Sequence, residues 1–249
     1  CKVTNVSKSD GIWSITTTDS IDGKQNLYKA KCFINASGPW IDDVLQSSFK
    51  KKDSKNVRLV RGSHIVVNKL FDHDRSYICQ NDDNRIFFMI PYEDKFTLIG
   101  TTDIDHGQSA GKVEISEEEK LYICKSANEY LNSDIGLNDI VWSYSGVRPL
   151  YDDGASKAQE ATRDYVIKAE QHESSLLINI FGGKITTYRR LSEAILKHIE
   201  AFLGAKESPW TSDSTLPGGD IAVDGQLELQ NKIQAKYPFL TKDIVKRLV

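Results

Sequence analysis

Three short segments of this chain combine a cation or an imidazole with glycine-bearing backbone. They are Arg61-Gly62-Ser63-His64-Ile65-Val66-Val67, Tyr144-Ser145-Gly146-Val147-Arg148-Pro149-Leu150 and Phe181-Gly182-Gly183-Lys184-Ile185-Thr186-Thr187-Tyr188. Glycine has no Cβ, so backbone or a ligand can come close to the charged group beside it. Pro149 fixes the chain after Arg148 and confines Arg148 to an extended conformation. A guanidinium offers a planar fork to phosphate or carboxylate oxygens. Arg148, and Arg163 in Thr162-Arg163-Asp164-Tyr165, each carry such a fork. An imidazole titrates near neutrality and suits proton transfer, and His64 carries one two residues after Gly62. Structural readings stand beside these: salt bridges from both arginines to sheet carboxylates, and a packed strand histidine next to Ile65-Val66-Val67.

The third segment has a further logic. The apolar run Leu176–Phe181 ends at Gly182-Gly183, and a helix starts within a few residues. Free N–H groups and the positive helix end would face whatever lies above that turn, and Lys184 adds a full charge. A glycine turn before a helix is also often a plain connection. Asp103, Asp105 and His106, just before Gly107, lack a convincing fourth ligand. They read as a solvated turn, and no metal site is expected. Asp152-Asp153-Gly154 reads as a loop, and no Gly-x-Ser-x-Gly elbow of a hydrolase is present.

Elements that must position these groups follow from patterning. Residues 1–7, 12–18 and 27–36 read as strands, with Asp10-Gly11 turning between the first two. Ser37-Gly38-Pro39-Trp40 then leads into a helix over 40–48, a strand–turn–helix step of the kind at which α/β proteins bind ligands. Strands at 57–67, 76–80, 85–91 and 96–101 are joined by short links, which favours antiparallel pairing. Ser116 and Glu119 form a capping-box pattern at the start of a helix to about Asn132. Strands resume at 140–149, 162–168 and 175–181. The helix over 186–203 places Leu191, Ala194, Ile195, Ile199 and Phe202 on one face and stops at Gly204. A linker at 205–222 and short helices near 223–236 and 241–249 complete the pattern.

The 249 residues are 39% hydrophobic and 27% charged with net charge −3, an ordinary globular composition with enough apolar side chains for a core. The balance argues against nucleic acid as a partner. The one basic run, Lys50-Lys51-Lys52 with Lys55 and Arg58, reads as a solvated loop. No stretch reaches the roughly 18 apolar residues of a membrane-spanning helix. Cys1, Cys32, Cys79 and Cys124 form no CxxC pair; Cys32 and Cys79 read as buried reduced thiols, and a cytoplasmic location is expected. The sequence opens inside a strand pattern at Cys1 and ends inside a helical one at Val249. It reads as a piece of a longer chain.

Taken together, the segments resemble the FAD-dependent glycerol-3-phosphate dehydrogenases, in order and approximate spacing and over nearly the whole chain. The resemblance rests on Val60–Val67, Ile99-Gly100-Thr101-Thr102-Asp103, Trp142–Leu150, Thr162–Tyr165, Phe181–Tyr188 and Asn35-Ala36-Ser37-Gly38-Pro39-Trp40. It implies an α+β chain (α/β in the full-length parent). Residues 1–56 and 140–203 would complete an amine-oxidase-like FAD-binding domain, and residues 57–139 would form an antiparallel substrate-binding sheet. Residues 205–249 would begin a C-terminal helical domain. It further implies oxidation of sn-glycerol 3-phosphate to dihydroxyacetone phosphate, FAD as hydride acceptor, and membrane quinone as final acceptor through peripheral contact. On this reading His64 and Lys184 are catalytic, and Arg148 and Arg163 hold the phosphate. Lys184 would either orient the hydroxyl oxygen or stabilise reduced flavin. Ser37, Gly38, Pro39, Trp40, Gly146, Gly182, Gly183, Lys184, Ile185 and Thr186 would line the cofactor. The family's opening Gly-x-Gly-x-x-Gly fingerprint for the FAD pyrophosphate is absent from this sequence. The chain alone is therefore expected to bind FAD weakly or not at all and to be inactive. Two alternatives stay open. One is a related amino-acid oxidase or 2-hydroxy-acid dehydrogenase, with Arg148 on a carboxylate; the other is a non-catalytic binding domain.

Overall fold

The computed structural model describes residues 1–51, 54–107, 110–154, 161–204 and 207–249. Part of the basic run (Lys52) and the first two residues of the expected linker lie outside them. The chain divides into two compact units, 1–205 and 206–249.

Unit one is built on three sheets. Strands β1 (Lys2–Ser9), β2 (Ile12–Thr18) and β3 (Gln25–Ala30) form an antiparallel meander. Its first turn has Asp10 and Gly11 both at positive φ, as a tight hairpin requires. The run expected as one strand over 27–36 is two. Lys31 breaks it, and β4 (Cys32–Asn35) leaves the meander to pair with another sheet. That second sheet has the order β11 (Val166–His172), β12 (Ser175–Phe181), β4, with β12 and β4 parallel. The strand expected at 162–168 begins only at Val166, so Arg163 sits in the preceding loop.

The six-stranded sheet contains β5 (Val57–Asn68), β6 (Tyr77–Gln80), β7 (Ile86–Tyr92), β8 (Phe96–Gly100) and β10 (Ile140–Tyr151) in the order β10-β5-β8-β7-β6. The two-residue β9 (Ile104–Asp105) also pairs with β5. All pairings are antiparallel, as the short links require. Side chains alternate between faces along a strand. One face of this sheet, with Ile65, Val67, Cys79, Phe87, Met89 and Ile99, packs on Ile123, Cys124 and Ala127 of helix α2 (Glu117–Asn128). The capping box forms at the start of α2: the Glu119 N–H donates to Ser116 Oγ (3.2 Å), and the Ser116 N–H donates to Glu119 Oε2 (2.9 Å). The other face carries Gly62 and His64.

Helices α1 (Ile41–Ser47) and α3 (Tyr188–Leu203) follow β4 and β12 through single 3-10 turns. The apolar stripe of α3 is where expected, but none of its residues is fully buried. In unit two, α4 (Gln226–Lys236) precedes α5 (Lys242–Leu248), which Thr241 caps by accepting from the Ile244 N–H. All four cysteines are free; Cys79 and Cys124 are buried, whereas Cys32 is only half-buried. No helix among the described residues is long and apolar enough to cross a membrane.

Candidate functional site

The ladder between β5 and β10 sets Gly62 opposite Gly146, His64 opposite Tyr144 and Val60 opposite Arg148. The Arg148 side chain lies across Gly62. A Cβ there would stand 2.6 Å from the guanidinium carbon, closer than real Cβ contacts allow, so the guanidinium keeps this position only over glycine. The guanidinium donates to Asp103 Oδ1 (2.8 Å), Thr101 Oγ1 (3.0 Å) and the Thr102 carbonyl (3.4 Å). Asp103 Oδ2 accepts from Arg163 Nη2 at 3.0 Å. One carboxylate, 12% exposed, thus gathers both arginines, of which Arg148 is 32% and Arg163 46% exposed.

This corrects the expectation of a solvated turn for Asp103; Asp105 is exposed as expected, but it lies in a strand and not in a turn. Residues 104–105 are ladder-paired to β5, and Asp105 takes a two-pronged grip from Arg58 at 2.6 and 2.7 Å. The cations opposite them decide their environment, and those cations are far away in sequence. Arg58 is accordingly a strand residue rather than part of a loop. Among the described residues no group of three or more His, Cys, Asp or Glu could hold a metal.

His64 is packed between two partners. Its ring stacks on Tyr144, with centroids 4.9 Å apart and planes 7° apart. Its Cδ2 edge rests against Gly100, where a Cβ would stand 2.6 Å away. Burial, followed by the nearby Arg148 charge, pushes the imidazole below its usual value, so the ring is neutral at pH 7. Its Nδ1 is buried and meets no hydrogen-bond partner among the described residues.

The two strand–turn–helix steps lie side by side, because β4 and β12 are parallel neighbours with Asn35 beside Asn179. Buried Asn35 ties its turn together: its side chain accepts from Ser37 Oγ (2.6 Å) and donates to the Ile41 carbonyl (3.3 Å). The Gly38-Pro39-Trp40 turn touches β10. Gly182 and Gly183 both have positive φ, and their turn rests on Asp164, Tyr165 and the Pro149–Tyr151 end of β10. Both turns therefore border the strand that carries Gly146 and Arg148. Lys184, Ile185 and Thr186 are exposed on the same turn, and Lys184 makes no ion pair with a described residue. Among the candidates, Arg148 and Arg163 meet at Asp103 and His64 lies within the influence of the Arg148 charge, whereas Lys184 sits on a neighbouring turn and no contact joins it to them.

These residues fit a flavin's reacting half. A Cβ at Gly38 or Gly146 would meet nothing within 4 Å, and Trp40 and Ile185 present apolar surface. A flat ring could lie there beside the carboxyl ends of parallel strands, the position at which α/β sheets bind ligands. Sequence reasoning assigned Asp103 only to a turn and Glu119 only to a helix cap, and it assigned no role to Gly100 as the floor under His64 or to Tyr144 as its stacking partner. The Gly100-Thr101-Thr102-Asp103 string was the available signal for Asp103 and Gly100.

An imidazole and a guanidinium on an antiparallel sheet, a second guanidinium reaching the same carboxylate from a loop, and glycine turns at parallel strand ends fit a chain of the flavoprotein oxidoreductase class. The chain belongs to the FAD dependent oxidoreductase family, whose sequence profile matches residues 1–189. It is 37% identical over 243 residues to D-erythritol 1-phosphate dehydrogenase of Brucella abortus, covering 98% of this chain and 48% of that protein. Aerobic glycerol-3-phosphate dehydrogenase of Escherichia coli is 35% identical over 246 residues, covering 98% and 49%. The structure of glycerol-3-phosphate dehydrogenase from Bacillus halodurans complexed with FAD superposes with a TM-score of 0.80 at 26% identity, covering 99% of this chain and 48% of that one. The chain spans about half the length of the curated relatives it matches.

Proposed function

We propose that this chain supplies the substrate half of a flavoenzyme that oxidises the secondary alcohol of a polyol phosphate, with sn-glycerol 3-phosphate as substrate and dihydroxyacetone phosphate as product. The observation that carries the reading is the meeting of Arg148 and Arg163 at Asp103, beside a neutral His64. A phosphate dianion needs fixed cationic donors, and two guanidiniums held by one carboxylate are already oriented for it. His64 takes the hydroxyl proton; burial and the Arg148 charge keep it unprotonated and ready. Lys184, on the adjacent turn, is assigned to the reacting oxygen or to negative charge on the cofactor. FAD, when bound, supplies the acceptor for the hydride. Ser37–Trp40, Gly146 and Gly182–Thr186 are the residues of this chain that would hold it. With no pyrophosphate fingerprint in the sequence, the 249 residues alone hold flavin weakly and turn over no substrate. Membrane quinone as final acceptor, reached by peripheral contact from the cytoplasm, is part of the proposal on resemblance alone.

The Brucella abortus relative supports a second substrate, D-erythritol 1-phosphate, which presents the same phosphate and secondary alcohol on a longer carbon chain. Values of kcat/KM for the complete gene product on glycerol 3-phosphate, D-erythritol 1-phosphate, glycine and 2-hydroxyglutarate test the reading. Preference for either phosphate supports it, and the larger value names the substrate. Preference for glycine or 2-hydroxyglutarate refutes it in favour of a carboxylate grip by Arg148. Quinone and oxygen compared as acceptors test the final step.

A further inference from the structure

The segment that grips Arg148 is not regular sheet. His64 pairs with Gly100 and Arg61 with Ile104, so three steps along β5 face four along the opposing chain. Thr101-Thr102-Asp103 therefore contains a β-bulge, a device that re-aims side chains next to functional sites. A bulge leaves ladder groups without backbone partners, and here a side chain replaces one. The Ser63 N–H donates to Thr102 Oγ1 at 3.0 Å. Thr102 Oγ1 in turn donates to Glu119 Oε1 at 2.8 Å, and Ser63 Oγ donates to the same oxygen at 2.7 Å. With its hydrogen so used, Ser63 Oγ accepts from Ser145 of β10 at 2.8 Å.

Glu119 is 2% exposed and lies behind the sheet, on α2. Its other oxygen accepts from the Ser116 N–H (2.9 Å) and Arg61 Nη2 (2.8 Å), so both oxygens are fully engaged. Burial by itself would raise this carboxyl; the Ser116 N–H, the two hydroxyls and Arg61 outweigh it and hold the group ionised. A helix cap alone needs none of the links to Thr102, Ser63 and Arg61. We propose that Glu119 is a positioning residue: it pins the Thr101–Asp103 bulge from behind, so that Thr101 Oγ1, the Thr102 carbonyl and Asp103 hold Arg148 in its anion-binding orientation. The inference rests on the functional reading above for the role of Arg148 and goes beyond it in naming what fixes that side chain.

The test uses the flavin-loaded complete gene product carrying Thr102→Val, Thr102→Ser or Glu119→Gln, each with Arg148 intact and with Arg148→Lys. KM and kcat for glycerol 3-phosphate are measured, and inorganic phosphate binding is followed by calorimetry. Thr102→Val, nearly isosteric, covers the case in which Glu119→Gln fails to fold. It is expected to raise KM and the phosphate Kd by roughly tenfold or more, with kcat changing far less. Thr102→Ser restores both values. In the Arg148→Lys background Thr102→Val adds nothing, as expected if it acts through Arg148. A lowered melting temperature with KM and phosphate affinity unmoved overturns the proposal, as does the same factor in both backgrounds. Wild-type protein that binds phosphate without oxidising glycerol 3-phosphate refutes the functional reading alone, and the phosphate titrations still decide the role of Glu119. Wild-type protein that binds no phosphate overturns both.

Discussion

Replacing Gly62 by alanine adds one methyl group directly beneath Arg148. That carbon would stand 2.6 Å from Cζ of the guanidinium, and ordinary contact begins at 3.4 Å. The neighbour is the far end of a flexible side chain, so Arg148 yields and the sheet does not. A retreat of roughly 1 Å takes the 2.8 Å bond to Asp103 out of hydrogen-bond range. Misplacing a binding group by about 1 Å costs up to ~100-fold, or ~2.7 kcal/mol of transition-state stabilisation. Arg148 is one-third exposed and can reorient, so part of that loss is recovered and a fall of about tenfold or more in kcat/KM is expected. The assay is glycerol 3-phosphate turnover by the complete gene product, with a thermal melt on the same sample. Gly107→Ala is the control, because a Cβ there meets nothing within 4 Å. A Gly62→Ala protein that folds and keeps the control's kcat/KM refutes the reasoning that Arg148's position governs binding.

Asp103→Asn keeps one oxygen for Arg148 but loses the charge and the second oxygen that joins Arg163, whereas Asp103→Ala removes both. KM should therefore rise more in the alanine variant, and equal KM values would contradict a bridging role. The acid limb of log kcat/KM should lie below pH 6.5, because burial and then Arg148 depress the His64 pKa and the neutral ring is the base. With a depressed folded value, the stability contribution of His64 is complete above about 6.5 and fades as pH falls below it toward the folded value. Arg148→Met should move the limb upward by the smaller share, and a limb above 6.5 in the wild type would contradict the assignment. Gly146→Ala, which meets no protein atom, should weaken flavin retention in a dialysis assay if a cofactor ring lies over β10. Unchanged retention would move the ring elsewhere.

The parts of this fold visible in the sequence are those set by local chemistry. Alternation gave the strands, Asp10-Gly11 the hairpin, and Ser116 with Glu119 the helix start. The break at Lys31 was hidden because the residues on both sides are strand formers, and only the partner sheet decides where each half pairs. His64 and Arg148 were legible as candidates from residue type close to glycine or proline, and Arg163 from the resemblance carried by Thr162-Arg163-Asp164-Tyr165. Asp103 was not, because an aspartate in a polar stretch at a strand end looks like a turn until two arginines from 45 and 60 residues away converge on it. Glu119 was legible as a cap, but its links to Ser63 and Thr102 depend on the register of β5 against β8 and β9.

Anaerobic addition of glycerol 3-phosphate to the flavin-loaded complete gene product, followed at the visible flavin band, decides whether His64 and Arg148 serve oxidation of this substrate. Rapid bleaching that is abolished by His64→Ala and that needs much more substrate in Arg148→Lys is the predicted result. A flavin band that glycerol 3-phosphate and D-erythritol 1-phosphate both leave untouched would contradict the account.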